Sequence, residues 1–183
     1  SPSSAASDVY KRQVFGGSLG AQVLNETLPQ ALAKFDHATR PIVTHQCGQK
    51  QLAAVKARYE ELGIEAHVVS FIDDMASAYA KADVVVCRAG ATTVSELTAA
   101  GVAAILVPFV VSTTAHQLGN ARYLESHRAG ILLEQKHLTA QNLYDKLCAL
   151  DRAQLLEIAQ NAHALAKRDA AKTVADAIER LCA

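Results

Sequence analysis

Nothing in this sequence supplies a disulfide framework, a compact zinc site, a membrane span or a broad polyanion-binding surface. Its four cysteines, Cys47, Cys87, Cys148 and Cys182, stand far apart. Neither a C-x-x-C redox pair nor the close ligand spacing of structural zinc is therefore offered. They read as free thiols in a reducing compartment. Tryptophan is absent. No apolar run approaches the roughly 20 residues that cross a bilayer, and no signal-peptide pattern is visible. Eighteen basic and eighteen acidic side chains cancel to a formal net charge of zero, which removes the wide basic footprint that nucleic-acid binding uses. A soluble, cytoplasmic chain is expected, with no nucleic-acid partner and no transmembrane segment, although its substrate is free to be membrane-borne.

What is present is a chain of 183 residues, half of them hydrophobic, long enough to bury about two-thirds of its unfolded surface without staples. Residues 1–8 read as a polar, flexible start and residues 9–183 as one domain, because no Pro- or Ser-rich linker divides them. Apolar strand-like runs at 9–15, 42–46, 66–71, 83–87, 103–107 and 131–133 alternate with helical patterns. Beyond them, helices are expected at 139–147, 152–167 and 172–181. Repeated strand–helix units of this spacing predict an α/β fold, a parallel sheet flanked by helices on both faces. Right-handed crossovers then leave ligand-binding loops at the carboxyl edge of the sheet. Lys11-Arg12-Gln13 is out of character for a central parallel strand.

Two glycine turns carry most of the chemistry. Phe15-Gly16-Gly17-Ser18-Leu19-Gly20-Ala21 links the first strand to a helix. Its glycines permit a sharp turn and close backbone approach, and helix-start amides can hold a phosphate with the Ser18 hydroxyl beside them. A tight turn before an N-capped helix is the bland alternative. The segment lacks the G-x-G-x-x-G pattern and the lysine of a P-loop. The second turn, Cys87-Arg88-Ala89-Gly90-Ala91-Thr92-Thr93-Val94-Ser95-Glu96, follows a hydrophobic strand and opens another helix. Thr93 and Glu96 have capping-box spacing, and Glu96 is equally suited to accept hydrogen bonds from a ribose diol.

Between these turns, Ser70-Phe71-Ile72-Asp73-Asp74-Met75 can form an apolar wall for a flat base, with Asp73 or Asp74 beginning a helix. Adjacent carboxylates without further spaced ligands are weak evidence for metal. His116-Gln117-Leu118-Gly119-Asn120-Ala121 offers uncharged donors and acceptors suited to sugar hydroxyls, near the start of a helix expected at 116–127. No nucleophile or orienting carboxylate can be assigned to His116 from the sequence. The remaining histidines read as surface or satisfied core residues.

Taken in order and spacing, GGSLGA, FIDDM, DVVVCRAGATTVSE and HQLGNA closely resemble the C-terminal half of the bacterial MurG family, from Val14 onwards. That resemblance implies one Rossmann-like half of a two-domain GT-B glycosyltransferase, with the N-terminal acceptor domain absent. The family's reaction is an inverting, metal-independent transfer of N-acetylglucosamine from UDP to a lipid-linked muramoyl-pentapeptide. No cofactor is implied beyond the donor substrate, UDP-N-acetylglucosamine. By resemblance, Ser18 approaches the diphosphate or sugar, Ile72 lies against uracil, and Ala91, Thr92 and Thr93 line the phosphate side. Glu96 binds ribose, while His116 and Gln117 face the donor sugar. Gly17, Arg88 and Asn120 support the loops or the phosphate. The catalytic base is expected in the N-terminal domain, so the isolated chain is expected to be inactive. The intact enzyme is expected to be peripheral on the cytoplasmic face of the inner membrane. The loop 110–115 departs from the proline and acidic character common in relatives, which bears on sugar selectivity. A UDP-sugar transferase with another acceptor, a UDP-sugar epimerase and a noncatalytic nucleotide-binding module stay open as alternatives.

Overall fold

Two short runs, Val84–Cys87 and Ala103–Leu106, are buried along their whole length, as central strands of a parallel sheet must be. Their side chains part by the two-residue period. Val84, Val86, Ala103 and Ile105 enter one apolar core, and Val85, Cys87, Ala104 and Leu106 enter the other. The sheet is thus packed on both faces, and these two strands form its hydrophobic centre.

The computed structural model describes residues 14–15, 21–109 and 115–167. Strand and helix alternate through β1 (Val14–Phe15), α1 (Gln22–Leu32), β2 (Thr44–Gln46), α2 (Leu52–Glu61), β3 (His67–Val69) and α3 (Met75–Lys81). They continue as β4 (Val84–Cys87), α4 (Ala91–Ala100), β5 (Ala103–Leu106), α5 (Ala115–Ser126) and β6 (Ile131–Leu132), followed by α6 (Ala140–Ala149) and α7 (Arg152–Ala164). All pairings are parallel. Two three-stranded sheets, β1-β2-β3 and β4-β5-β6, meet where β1 lies beside β4. The running order is therefore β3-β2-β1-β4-β5-β6, the order of a doubly wound nucleotide-binding sheet. The expected fold class is what the structure shows.

The strands are shorter than the hydrophobic runs that announce them. Ile42 is half exposed ahead of β2, and Phe71 is 59% exposed beyond β3, so burial and ladder pairing trim both runs. The expected helix at 172–181 and the segments 11–13 and 110–114 lie outside the described residues. Helix boundaries follow local chemistry. Thr139 caps α6 through the Asn142 amide. Asp151 and Gln154 form a reciprocal capping box on α7. Gly101 ends α4 in the left-handed region at φ 63°, where a side chain would be strained and would also press on His163 at 3.0 Å.

A buried polar network ties the first half together. Pro29 lies inside α1 and has no amide hydrogen for the carbonyl four residues earlier, that of Asn25. The Arg58 guanidinium on α2 donates to that carbonyl instead, at 3.3 Å. The Asn25 side chain turns into the sheet, where Nδ2 donates to the Cys47 carbonyl at 3.1 Å and Oδ1 lies 3.0 Å from His45 Nε2. His45 Nδ1 is 3.0 Å from the Tyr59 hydroxyl. Since Oδ1 can only accept, Nε2 carries the proton and the Tyr59 hydroxyl donates to Nδ1. Polar residues on a buried strand are tolerated here because each finds a partner.

Candidate functional site

β1 and β4 are the neighbours from which the chain departs in opposite directions, through α1 to β2 and through α4 to β5. A crevice outside the carboxyl ends of such strands is where this architecture takes its ligands. Both glycine turns follow these two strands. Gly17 and Ser18, in the first turn, lie outside the described residues. The second turn, 88–90, leads from the end of β4 into α4.

α4 begins with an open end. Gly90 is its N-cap, no side chain among the described residues caps it, and its first turn holds no acidic residue. Ala91 and Thr92 are exposed there and Thr93 is half-buried. Gly90 has an ordinary φ of −63°, and a Cβ at this position would meet only Thr93 Oγ1, at 3.9 Å. Among the described residues, neither backbone strain nor packing requires glycine at this position. The amides at this helix start and the helix dipole favour an anion.

The capping-box reading of Thr93 and Glu96 is corrected. Thr93 is the third residue of the helix rather than its cap, so Glu96 lies too far along to reach back to the N-cap amide. Glu96 instead accepts a hydrogen bond from the Tyr79 hydroxyl of α3, at 3.1 Å. Burial above all, with Cys87 and Glu96 nearby, pushes the Tyr79 hydroxyl far above its ordinary range, so it stays protonated and donates. One carboxylate oxygen is thereby held, and Glu96 is half-buried on the helix that starts at Gly90.

Ile72 follows β3 and is partly buried, packed against the core on the α4 side of the sheet. Its amide donates to Gln46 Oε1 at 3.0 Å. Asp74 rather than Asp73 caps α3, accepting from the Ser77 amide at 2.9 Å and the Ser77 hydroxyl at 2.6 Å. Both carboxylate oxygens of Asp74 are thus engaged by Ser77.

Around the start of α5, polar side chains fasten loops. His116 is exposed and Gln117 half-buried. Gln117 Oε1 accepts from the Phe109 amide at 3.0 Å, so its amide group is oriented by the chain leaving β5. Asn120 donates to the Ala89 carbonyl at 3.0 Å, pinning the turn next to Gly90. Arg88 donates to the Val107 carbonyl at 3.0 Å and to Gln135 Oε1 at 2.7 Å, and its guanidinium sits 5.2 Å from the Phe109 ring centre. Burial lowers its pKa, but a guanidinium remains charged. Arg88 and Asn120 hold the loops beside the α4 terminus.

Gln46, Tyr79 and Phe109 were not singled out by sequence motifs, yet each contacts a residue that was. The signal for Gln46 was present: Thr44-His45-Gln46 is polar where a strand is buried. A surface cavity of about 380 Å³ lies elsewhere, between the end of α5, β6 and α6, lined by residues including Glu125, Glu134, His137, Asn142 and Lys146. None of the expected site residues lines it.

Residues 13–181 match the family model of the glycosyltransferase family 28 C-terminal domain. The chain is 53% identical over 175 residues to the UDP-N-acetylglucosamine--N-acetylmuramyl-(pentapeptide) pyrophosphoryl-undecaprenol N-acetylglucosamine transferase of Herminiimonas arsenicoxydans, covering 96% of this chain and 49% of that protein. It is 58% identical over 170 residues to the protein of the same name from Methylibium petroleiphilum, covering 92% and 46%. The crystal structure of Acinetobacter baumannii MurG superposes with a TM-score of 0.87 at 37% identity, covering 98% of this chain and 55% of that one. The chain thus spans about half the length of the curated relatives it matches.

Proposed function

The chain belongs to the glycosyltransferase family 28 C-terminal domain family, and from that premise we propose that it is the donor-binding half of an inverting transferase. The enzyme moves N-acetylglucosamine from UDP-N-acetylglucosamine to a lipid-linked muramoyl-pentapeptide, a step of peptidoglycan synthesis. The observation that carries this reading is the uncapped start of α4 beside the β1–β4 switch point. The relatives' printed names supply the donor and acceptor.

The donor diphosphate meets the amides of Ala91, Thr92 and Thr93, and Ser18 of the first glycine motif contributes its hydroxyl. Glu96, steadied by Tyr79, accepts from the ribose hydroxyls. Ile72 packs against the uracil ring, and His116 and Gln117 meet the sugar. In the transfer, the muramoyl 4-hydroxyl attacks the anomeric carbon from the face opposite UDP. The bond from that carbon to the diphosphate oxygen breaks, and the pair remains with UDP. Negative charge grows on the departing diphosphate, where preorganised amides stabilise it more than they stabilise the bound donor. The base that takes the acceptor proton is assigned to the remainder of the relatives' length, and the donor half by itself binds without turnover. No helix among the described residues is long and apolar enough to cross a membrane, consistent with a peripheral enzyme reaching a lipid-linked acceptor.

Calorimetric titration of this chain with UDP-N-acetylglucosamine and with ADP-glucose tests the donor assignment. UDP-N-acetylglucosamine binds more tightly if uracil, ribose and phosphate are read together. Equal affinity would remove the assignment.

A further inference from the structure

Gln135 opens a short 3-10 turn, Gln135–His137, that follows β6 at the edge of the sheet. None of the sequence motifs includes it. Its side-chain oxygen nevertheless accepts a hydrogen bond from Arg88 at 2.7 Å, reaching across the end of β5 to the second glycine turn.

The support behind Gln135 is firm. The Leu133 amide extends the ladder onto the Leu106 carbonyl at 2.9 Å, and the His137 amide donates to the Glu134 carbonyl at 2.8 Å. Asn142 of α6 donates to the His137 carbonyl at 2.8 Å. Gln135 therefore projects from a turn fastened both to the sheet and to a helix.

From there the contacts run in series. Arg88 Nη1 donates one hydrogen to Gln135 and the other to the Val107 carbonyl, at 3.0 Å. The guanidinium carbon lies 5.2 Å from the centre of the Phe109 ring, within the roughly 6 Å reach of a cation–π contact. Phe109 is 39% exposed, so burial holds its ring only in part. The Phe109 amide donates to Gln117 Oε1 at 3.0 Å. A carboxamide whose oxygen is so committed offers its N–H groups as donors. A residue beyond β6 is thus linked to the orientation of a side chain on α5.

We propose that Gln135 is a positioning residue for the donor sugar: it steadies Arg88 over Phe109, and Phe109 in turn sets the Gln117 carboxamide. This rests on the donor reading above, in which Gln117 meets the sugar. The glycine turn before α4 keeps holds that do not involve Gln135, the Arg88 bond to Val107 and the Asn120 bond to the Ala89 carbonyl. Loss of Gln135 is therefore felt at the sugar and spared at the nucleotide.

The test measures, by calorimetry, the dissociation constants of UDP and UDP-N-acetylglucosamine for this chain and for Gln135→Leu, Gln135→Glu and Phe109→Leu. Gln135→Leu removes the acceptor and is expected to weaken UDP-N-acetylglucosamine about fivefold relative to UDP, the scale of one hydrogen bond. Gln135→Glu keeps an oxygen for the guanidinium and is expected to hold the ratio of the unmodified chain within about twofold. Phe109→Leu removes the ring, keeps the amide and shifts the ratio in the same direction as Gln135→Leu. It carries the test alone if Gln135→Leu does not fold. An unchanged ratio in either leucine variant overturns the proposal, since equal weakening of both ligands marks a merely structural residue. A Gln135→Glu variant that shifts the ratio as far as Gln135→Leu overturns it as well. An unmodified chain that binds neither ligand contradicts the donor reading instead, which separates the two failures.

Discussion

Asn25 Oδ1 lies 3.0 Å from His45 Nε2, so a helix asparagine fixes the proton of a histidine buried in the sheet. Burial lowers the His45 pKa from 6.5 to about 4. Because the folded value is below the unfolded one, the unfolded chain binds more protons between these pH values. The stability from neutral His45 is therefore present above about pH 6.5 and is lost as pH falls towards 4. A shift of that size corresponds to roughly 3 kcal/mol. Urea unfolding of the chain and of His45→Gln at pH 7.5 and 4.5 checks this. The difference between the two proteins should shrink at the lower pH, and a constant difference contradicts it.

Glu96 and Tyr79 separate binding from folding. If Glu96 reaches ribose hydroxyls, Glu96→Ala weakens donor binding by about tenfold or more, as expected for hydrogen bonds to a charged group. Tyr79→Phe releases one carboxylate oxygen and should weaken binding by a few-fold, on the order of 1 kcal/mol. A folded Glu96→Ala variant with unchanged affinity would leave Glu96 as a partner of Tyr79 alone.

Arg88 is expected to matter for stability. Its guanidinium bridges the Val107 carbonyl and Gln135, and Arg88→Met retains much of the apolar stem while leaving those oxygens unpaired. A loss of about 1–3 kcal/mol follows from desolvated, unsatisfied acceptors. The denaturation midpoint of the variant reads it directly. A midpoint equal to that of the unmodified chain would show that water replaces the guanidinium at no cost.

Gly90→Ala should leave the fold nearly intact and damage the site. The backbone is at φ −63° and the added Cβ meets nothing closer than 3.9 Å. Stability should change by no more than about 1 kcal/mol, the range of N-cap substitutions. If the diphosphate approaches the amides at the start of α4 as proposed, donor affinity should fall by about tenfold or more, because the added methyl group stands at that helix end. Paired thermal melts and titrations distinguish the two effects. A melt unchanged together with an unchanged affinity would place the diphosphate elsewhere.

Much of this was legible in the sequence, for identifiable reasons. Val84–Val86 and Ala103–Leu106 read as central strands because full burial leaves no polar face to interrupt them. The glycine turn after β4 announced a helix, though not the residue at which it begins. The Thr93–Glu96 spacing misled because it fits a capping box only if Thr93 is the cap, and the glycine three residues earlier takes that place. Tyr79 could not be found from a motif, since its link to Glu96 joins two helices through the fold. The run 42–46 read only as a strand, and the network through His45 was not legible because its partners Asn25 and Tyr59 lie on separate helices, where sequence spacing carries no information about contact.

The amide NMR shifts of Ala91, Thr92 and Thr93 during titration with UDP test the central claim most directly. Large, saturable changes there, following one dissociation constant, are predicted, with Asn142 and Lys146, at the cavity between α5, β6 and α6, unmoved. Changes centred on that cavity, with the start of α4 silent, would contradict the account.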